Sequence, residues 1–184
     1  DLLTPETLWS MGRMGTVTAS PDGKSIAYAV THYNIAKNSS HTAIHTITAD
    51  GGNHKKLTTG RNSESSPAFL PDGRLAYLSK GRLFVMYASG MNRIPISPEG
   101  VEIEAFKFSP DGKKVLLVKQ IPYTESIEAK ESDLPLSSGM VINDLNYKHW
   151  DQYVTTIPHI FVADVTATSI GEMTDILECQ PYEC

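Results

Sequence analysis

The sequence predicts an all-β fold, a partial β-propeller of about three four-stranded antiparallel blades with Ser-Pro-Asp-Gly-type repeats. Three observations carry that expectation. First, a tripeptide recurs as Pro21-Asp22-Gly23, Pro71-Asp72-Gly73 and Pro110-Asp111-Gly112. Second, the steps between its prolines are 50 and 39 residues, and blades repeat at about 40–50 residues. Third, short β-prone runs flank each copy and are separated by turn-forming clusters such as Asp50-Gly51-Gly52-Asn53.

The first element in order is a short helix within the lead-in, residues 1–15. Thr4 suits its N-cap, Pro5 its first position, and Glu6 complements the helix dipole, with Gly12 or Gly15 ending it. The first blade spans 16–60, with strands expected at Thr16–Ser20, Ser25–Thr31, Ala43–Ala49 and His54–Thr58. The second spans 61–100, with strands at Pro67–Leu70, Arg74–Leu78, Arg82–Tyr87 and Arg93–Ser97. The third spans 101–178, with strands at Glu104–Phe108, Lys113–Gln120, His159–Asp164 and Ser169–Thr174. A long insertion, 121–158, separates its middle strands.

Each Pro-Asp-Gly has a local reason. Proline presets φ at the first central position of a tight turn, Asp bonds nearby backbone, and Gly accepts a positive φ where the next strand begins. The aspartates recur once per repeat, so they read as turn architecture rather than as a set of catalytic acids.

Composition excludes several classes. Of 184 residues, 40% are hydrophobic and 20% charged, ordinary for a folded globular chain. A net charge of −5 argues against a nucleic-acid partner and against anionic lipid. The longest apolar patches, such as Val115–Val118 and Ile160–Val162, fall far short of the ~20 residues a membrane-spanning helix needs. The opening Asp1-Leu2-Leu3-Thr4 lacks the basic start and apolar core of a signal peptide. The only cysteines, Cys179 and Cys184, are too close together to frame a domain with a disulfide.

Three blades are too few to close a ring, since propellers use about 4–8. The chain is therefore expected to be an N-terminal fragment of a longer protein. Self-assembly of several copies into a closed ring is the alternative.

A family resemblance rests on particular residues. The opening Thr4-Pro5-Glu6, Leu8-Trp9 and Met11-Gly12-Arg13 leads into Ser20-Pro21-Asp22-Gly23 and Ile26-Ala27-Tyr28-Ala29-Val30. Gly51-Gly52 then precedes Leu57-Thr58, and His149-Trp150-Asp151-Gln152-Tyr153 precedes the strand His159–Val165. Together these residues resemble the propeller part of the prolyl oligopeptidase family of serine peptidases, on its dipeptidyl peptidase and acylaminoacyl-peptidase branches. The resemblance implies a C-terminal α/β-hydrolase domain carrying a Gly-x-Ser-x-Gly nucleophile, with Asp and His following. No Gly-x-Ser-x-Gly occurs in this chain, so none of the triad can be placed in it, and the chain by itself is expected to be inactive. No cofactor is implied. The expected partners are a peptide substrate and the hydrolase domain, in a periplasmic or secreted setting. The chain departs from the family pattern at Lys148, where relatives tend to carry Arg before His-Trp-Asp. The two are not equivalent at a bidentate carboxylate site.

The insertion supplies the candidate substrate residues. It holds six carboxylates against Lys130 and Lys148, and so carries most of the chain's negative charge. Glu125, Glu128 and Glu131 lie at three-residue steps, so one helical turn would put them on one side. A carboxylate can hold the free α-ammonium of a peptide, and the resemblance implies such a role for propeller-borne glutamates. A solvated acidic loop is the competing reading. His149, Trp150 and Asp151 offer a ring, an aromatic platform and an acid, either lining a cavity or anchoring the insertion.

A zinc pair at His41 and His45 is not expected, because that run reads as strand and no third ligand completes the set. Asn38-Ser39-Ser40 fits a glycosylation acceptor pattern. The reading of another class is a TolB-like, non-enzymatic protein-binding propeller, which the repeats suit equally well.

Overall fold

A computed structural model describes residues 2–123 and 155–180. Helix α1 (Pro5–Ser10) opens the chain. Thr4 caps it, its hydroxyl accepting from the Thr7 amide at 3.2 Å. The chain then forms three four-stranded antiparallel meanders. The first contains β1 (Arg13–Ala19), β2 (Ser25–Asn34), β3 (Ser39–Thr48) and β4 (Lys55–Lys56). The second contains β5 (Ser65–Phe69), β6 (Leu75–Ser79), β7 (Arg82–Met86) and β8 (Ile94–Pro95). The third contains β9 (Ala105–Phe108), β10 (Lys114–Pro122), β11 (Thr156–Asp164) and β12 (Thr174–Asp175).

Strand alternation assigns each face. Ala27 of β2 and Ile44 of β3 pack with Leu57 against Leu75, Tyr77 and Met86 of the second sheet. The opposite face of that sheet presents Ala76, Leu78, Leu83 and Val85 to Val115, Leu117, Phe161 and Ala163 of the third. The core is therefore two layers of side chains between three stacked sheets. Burying each Leu or Ile contributes about 1.5–3 kcal/mol, which is what holds the sheets face to face.

The outermost faces differ in chemistry. On the third sheet, Leu116 is 43% exposed, beside half-buried Val118, Ile160 and Val162. On the first sheet, the outer face carries Tyr28 and His32 opposite His45 and His41. The Tyr28, His45 and His54 rings stack on one another, and the His32 and His41 rings stack separately. His45 Nδ1 lies 3.2 Å from His54 Nε2, so one donates and the other accepts.

The observed strands depart from expectation in several places: β1 begins at Arg13 rather than Thr16, and β10 and β11 run on to Pro122 and Thr156, into the expected insertion. The β2–β3 hairpin runs on to Asn34 and Ser39 rather than ending at Thr31. Cross-strand contacts sustain it: Thr31 and Thr42 share a hydrogen bond at 2.9 Å, and the His32 and His41 rings stack at 5.7 Å. The last strand of the third sheet is Thr174–Asp175, not Ser169–Thr174. Thr166 and Ser169 close a local turn instead, with the Thr166 hydroxyl donating to the Ser169 carbonyl at 2.9 Å, and only a Val165–Ile170 bridge follows.

Gly12 sits where α1 crosses the first sheet. A Cβ there would fall 2.8 Å from His32 Cε1 and 2.9 Å from Val30 Cγ1. Gly12→Ala is expected to displace α1 and cost about 1–3 kcal/mol, as overpacking does. Near-ultraviolet dichroism from Trp9 would register the shift.

Candidate functional site at the insertion end of the blades

The Pro-Asp-Gly segments form the turns that join the first and second strand of each sheet. Ser20 and Ser109 use the same bonding. Each hydroxyl donates to the aspartate two residues on at 2.6 Å and accepts from the amide five residues on at 2.9 Å. Asp22 and Asp111 also accept from the Lys24 and Lys113 amides at 3.1 Å. The serine hydroxyl first, and the backbone amide second, hold both carboxyls below their ordinary pKa. The second turn has Leu70 where the others have serine, and Arg74 compensates. Its Nε donates to Asp72 at 2.7 Å and its Nη1 to the Ala167 carbonyl of the third blade at 2.7 Å.

The three turns converge. Pro21, Pro71 and Pro110, with Phe69, Phe106 and Phe108, line one cavity of about 430 Å³ where the inner strands β1, β5 and β9 end. In a meander the second and third strands join at the opposite end of the sheet. That end therefore gathers the start of β1, the β2–β3 hairpin tip, and the two strands that bracket the insertion, which close at Pro122 opposite Thr156.

This insertion end holds the candidate site among the described residues. Arg13, the first residue of the inner strand β1, places its guanidinium 4.7 Å from the centroid of Trp9 and 4.9 Å from that of Tyr33. The two rings meet edge to face at 5.1 Å and 72°. The hairpin tip beside them is shaped by local bonds: the Asn34 side chain accepts from the Lys37 amide at 3.0 Å, and Asn38 adopts a left-handed conformation. Trp9, Tyr33, Asn34, Asn38, Ser39 and Ser40 line a cavity of about 320 Å³.

Glu125, Glu128, Glu131, His149, Trp150 and Asp151 lie outside the described residues. The structure does reveal polar groups that sequence reasoning passed over. His159 is fully buried, with Nδ1 2.9 Å from Asp175 Oδ2, while Asp175 Oδ1 accepts from the Leu177 amide at 2.8 Å. The pair clamps β11 to β12. Glu64 is 6% exposed just before β5. Burial, reinforced by the Glu64 carboxylate and opposed by Arg93, raises the Tyr77 hydroxyl above its usual pKa. No motif signals these residues, because their partners lie on other strands, outside any short run of sequence.

Burial also lowers the pKa of His45, with further lowering by His54, Lys56 and His32. A histidine depressed in the folded state takes up a proton more readily when unfolded. Its effect is therefore a loss of stability as pH falls below the ordinary histidine value of about 6.5. Urea midpoints are expected to fall between pH 7.5 and pH 5.5, and His45→Phe should reduce that fall.

No family model matches the chain. It is 38% identical over 98% of its length to dipeptidyl-peptidase 5 of Porphyromonas gingivalis, and 34% identical over 99% to that of Porphyromonas endodontalis. The chain spans 27% of the length of each of these relatives. Among solved structures, acylaminoacyl peptidase of Pyrococcus horikoshii superposes with a TM-score of 0.65 at 14% identity, over 92% of this chain and 26% of that one. TolB from Acinetobacter baumannii superposes with a TM-score of 0.55 at 14% identity, over 88% of this chain and 32% of that one. At those identities the superpositions establish the fold, an open set of propeller blades. Taken with the sequence relationship, they show a chain of propeller blades that is similar, over nearly its whole length, to part of dipeptidyl-peptidase 5.

Proposed function

We propose that this chain is the part of a serine exopeptidase of dipeptidyl-peptidase type that limits peptide access and shapes the substrate cavity. The observation that carries the reading is 38% identity to a dipeptidyl-peptidase 5 over 98% of the chain. Acyl transfer through an activated serine would take place in an α/β-hydrolase domain outside this chain. The outward apolar face around Leu116 gives a further blade somewhere to pack. The acidic insertion would hold the substrate's α-ammonium through one of Glu125, Glu128 or Glu131, with His149, Trp150 and Asp151 lining the cavity. The protein would act in the periplasm or after secretion, where peptides from outside the cell arrive.

The test is hydrolysis of dipeptidyl chromogenic substrates by the full-length protein, with and without a serine-directed fluorophosphonate. Fluorophosphonate-sensitive release of dipeptides is the expected result. A full-length protein of about the 20.2 kDa of this chain would defeat the reading, since no hydrolase domain could then be present. For the insertion, Glu125→Gln, Glu128→Gln and Glu131→Gln are each to be compared. One of them is expected to raise KM about tenfold or more for a substrate with a free amine, the scale of a lost charge-assisted hydrogen bond. Unchanged KM in all three would leave the insertion as a solvated loop.

The TolB superposition favours a second reading, a binding propeller without an enzyme domain. Under that reading the full-length protein would label with no fluorophosphonate and would retain protein partners instead.

A further inference from the structure

The corner formed by Trp9, Arg13 and Tyr33 holds a cation that makes no ion pair among the described residues. The three centroid distances, 5.1, 4.7 and 4.9 Å, make a nearly equilateral triangle. Trp9 and Tyr33 stand nearly perpendicular and act as two walls, so the guanidinium carbon, 4.7 and 4.9 Å from their centroids, is held in the angle between them. Among the described residues the ion pairs lie at Arg74–Asp72, Lys114–Asp164 and His159–Asp175, and none involves Arg13. Arg13 is exposed, and Trp9 is 40% exposed, so the corner opens outward. A fixed cation has thus been placed on a chain whose net charge is −5.

A planar fork of donors, pre-oriented by two rings, matches a carboxylate in geometry as well as charge. Neutral hydroxyls and amides of Ser39, Ser40, Asn34 and Asn38 line the adjoining cavity, offering hydrogen bonds to the group that carries the carboxylate. Arg13 also begins an innermost strand, at the same end of the blades as the insertion. The geometry points to Arg13 as a carboxylate-binding residue, with Trp9 and Tyr33 as the positioning residues that fix its guanidinium. The carboxylate comes either from a peptide or from an acidic side chain in the remainder of the full-length protein. The peptide source rests on the proposed peptidase role, whereas the binding chemistry does not.

The experiment uses the full-length protein and two readouts that need no catalysis. Calorimetry compares an N-acetylated tetrapeptide bearing a free C-terminal carboxylate with the same peptide as its C-terminal amide. Thermal unfolding is followed in parallel. If a peptide supplies the carboxylate, the acid binds about ten- to a hundredfold more tightly than the amide. Arg13→Gln then abolishes the difference, Arg13→Lys restores only part of it, and Trp9→Leu weakens it. If the protein itself supplies the carboxylate, acid and amide bind alike, while Arg13→Gln lowers the unfolding midpoint more than Arg13→Lys does. Equal binding together with an unchanged midpoint in Arg13→Gln overturns the assignment. Discrimination between acid and amide by a protein that hydrolyses no peptide would sink the peptidase reading and leave this one standing.

Discussion

Replacing Leu117 with alanine is expected to destabilise the fold by about 2–5 kcal/mol, the largest single effect among the substitutions considered. Leu117 is fully buried in the layer between the second and third sheets, where it packs with Leu83, Val85, Phe161 and Ala163. Truncation removes the transfer energy of the side chain and also leaves a cavity. Two β-sheets, stiffened by their own hydrogen bonds, cannot easily collapse into that cavity. Leu116, the next residue along β10, points the other way and is 43% exposed. In this chain Leu116→Ala should cost well under 1 kcal/mol, as exposed substitutions do. In a full-length protein whose next blade covers that face, the cost of Leu116→Ala should rise toward that of Leu117→Ala. Urea unfolding of both variants in both lengths of protein measures the comparison. A Leu116→Ala cost that does not change with length would show that nothing packs on that face.

The second large effect separates backbone strain from contact between blades. Gly112 and Gly23 occupy the same position in two of the turns, with φ of +70° and +68°. A Cβ at Gly23 would meet nothing within 4 Å, so Gly23→Ala carries only the cost of a left-handed backbone, about 1–2 kcal/mol. A Cβ at Gly112 would fall 3.0 Å from Pro71 Cδ and 3.3 Å from Pro71 Cγ. Pro71 belongs to the turn of the neighbouring blade, and a rigid ring cannot swing aside. Gly112→Ala should therefore cost about 1–3 kcal/mol more than Gly23→Ala, the scale of overpacking. Equal unfolding midpoints for the two variants would mean that the turns are not in contact in solution.

Much of the fold was legible because its causes are local. The turns need only Pro, Asp and Gly in order, and the cap of α1 needs only Thr4 ahead of Pro5. Along β6 the alternation is hidden, because Leu75, Ala76, Tyr77 and Leu78 are all buried and show no polar face. A strand covered on both sides gives a continuous apolar run. The β2–β3 hairpin was read too short because its distal half is built of Thr, His, Tyr and Ser, which look like loop residues until they pair across strands. The fourth strand of the third blade was misplaced because Ser169 and Ile170 look β-prone, yet the Thr166 turn takes up the backbone groups that a longer ladder would need.

The candidate site shows the same division. The sequence directed attention to the insertion, where charge is concentrated over a short stretch. Nothing in the one-dimensional pattern links Trp9, Arg13 and Tyr33, since Tyr33 reaches the other two only when the β2–β3 hairpin folds against α1. By itself, then, the sequence determined the repeat, the turns and the strand-rich class, since each depends on residues a few positions apart. Only the tertiary structure decided which sheet faces meet, which face is left open, and which distant polar groups share a site. Those outcomes depend on packing between blades, and packing depends on three-dimensional neighbours that sequence spacing does not encode.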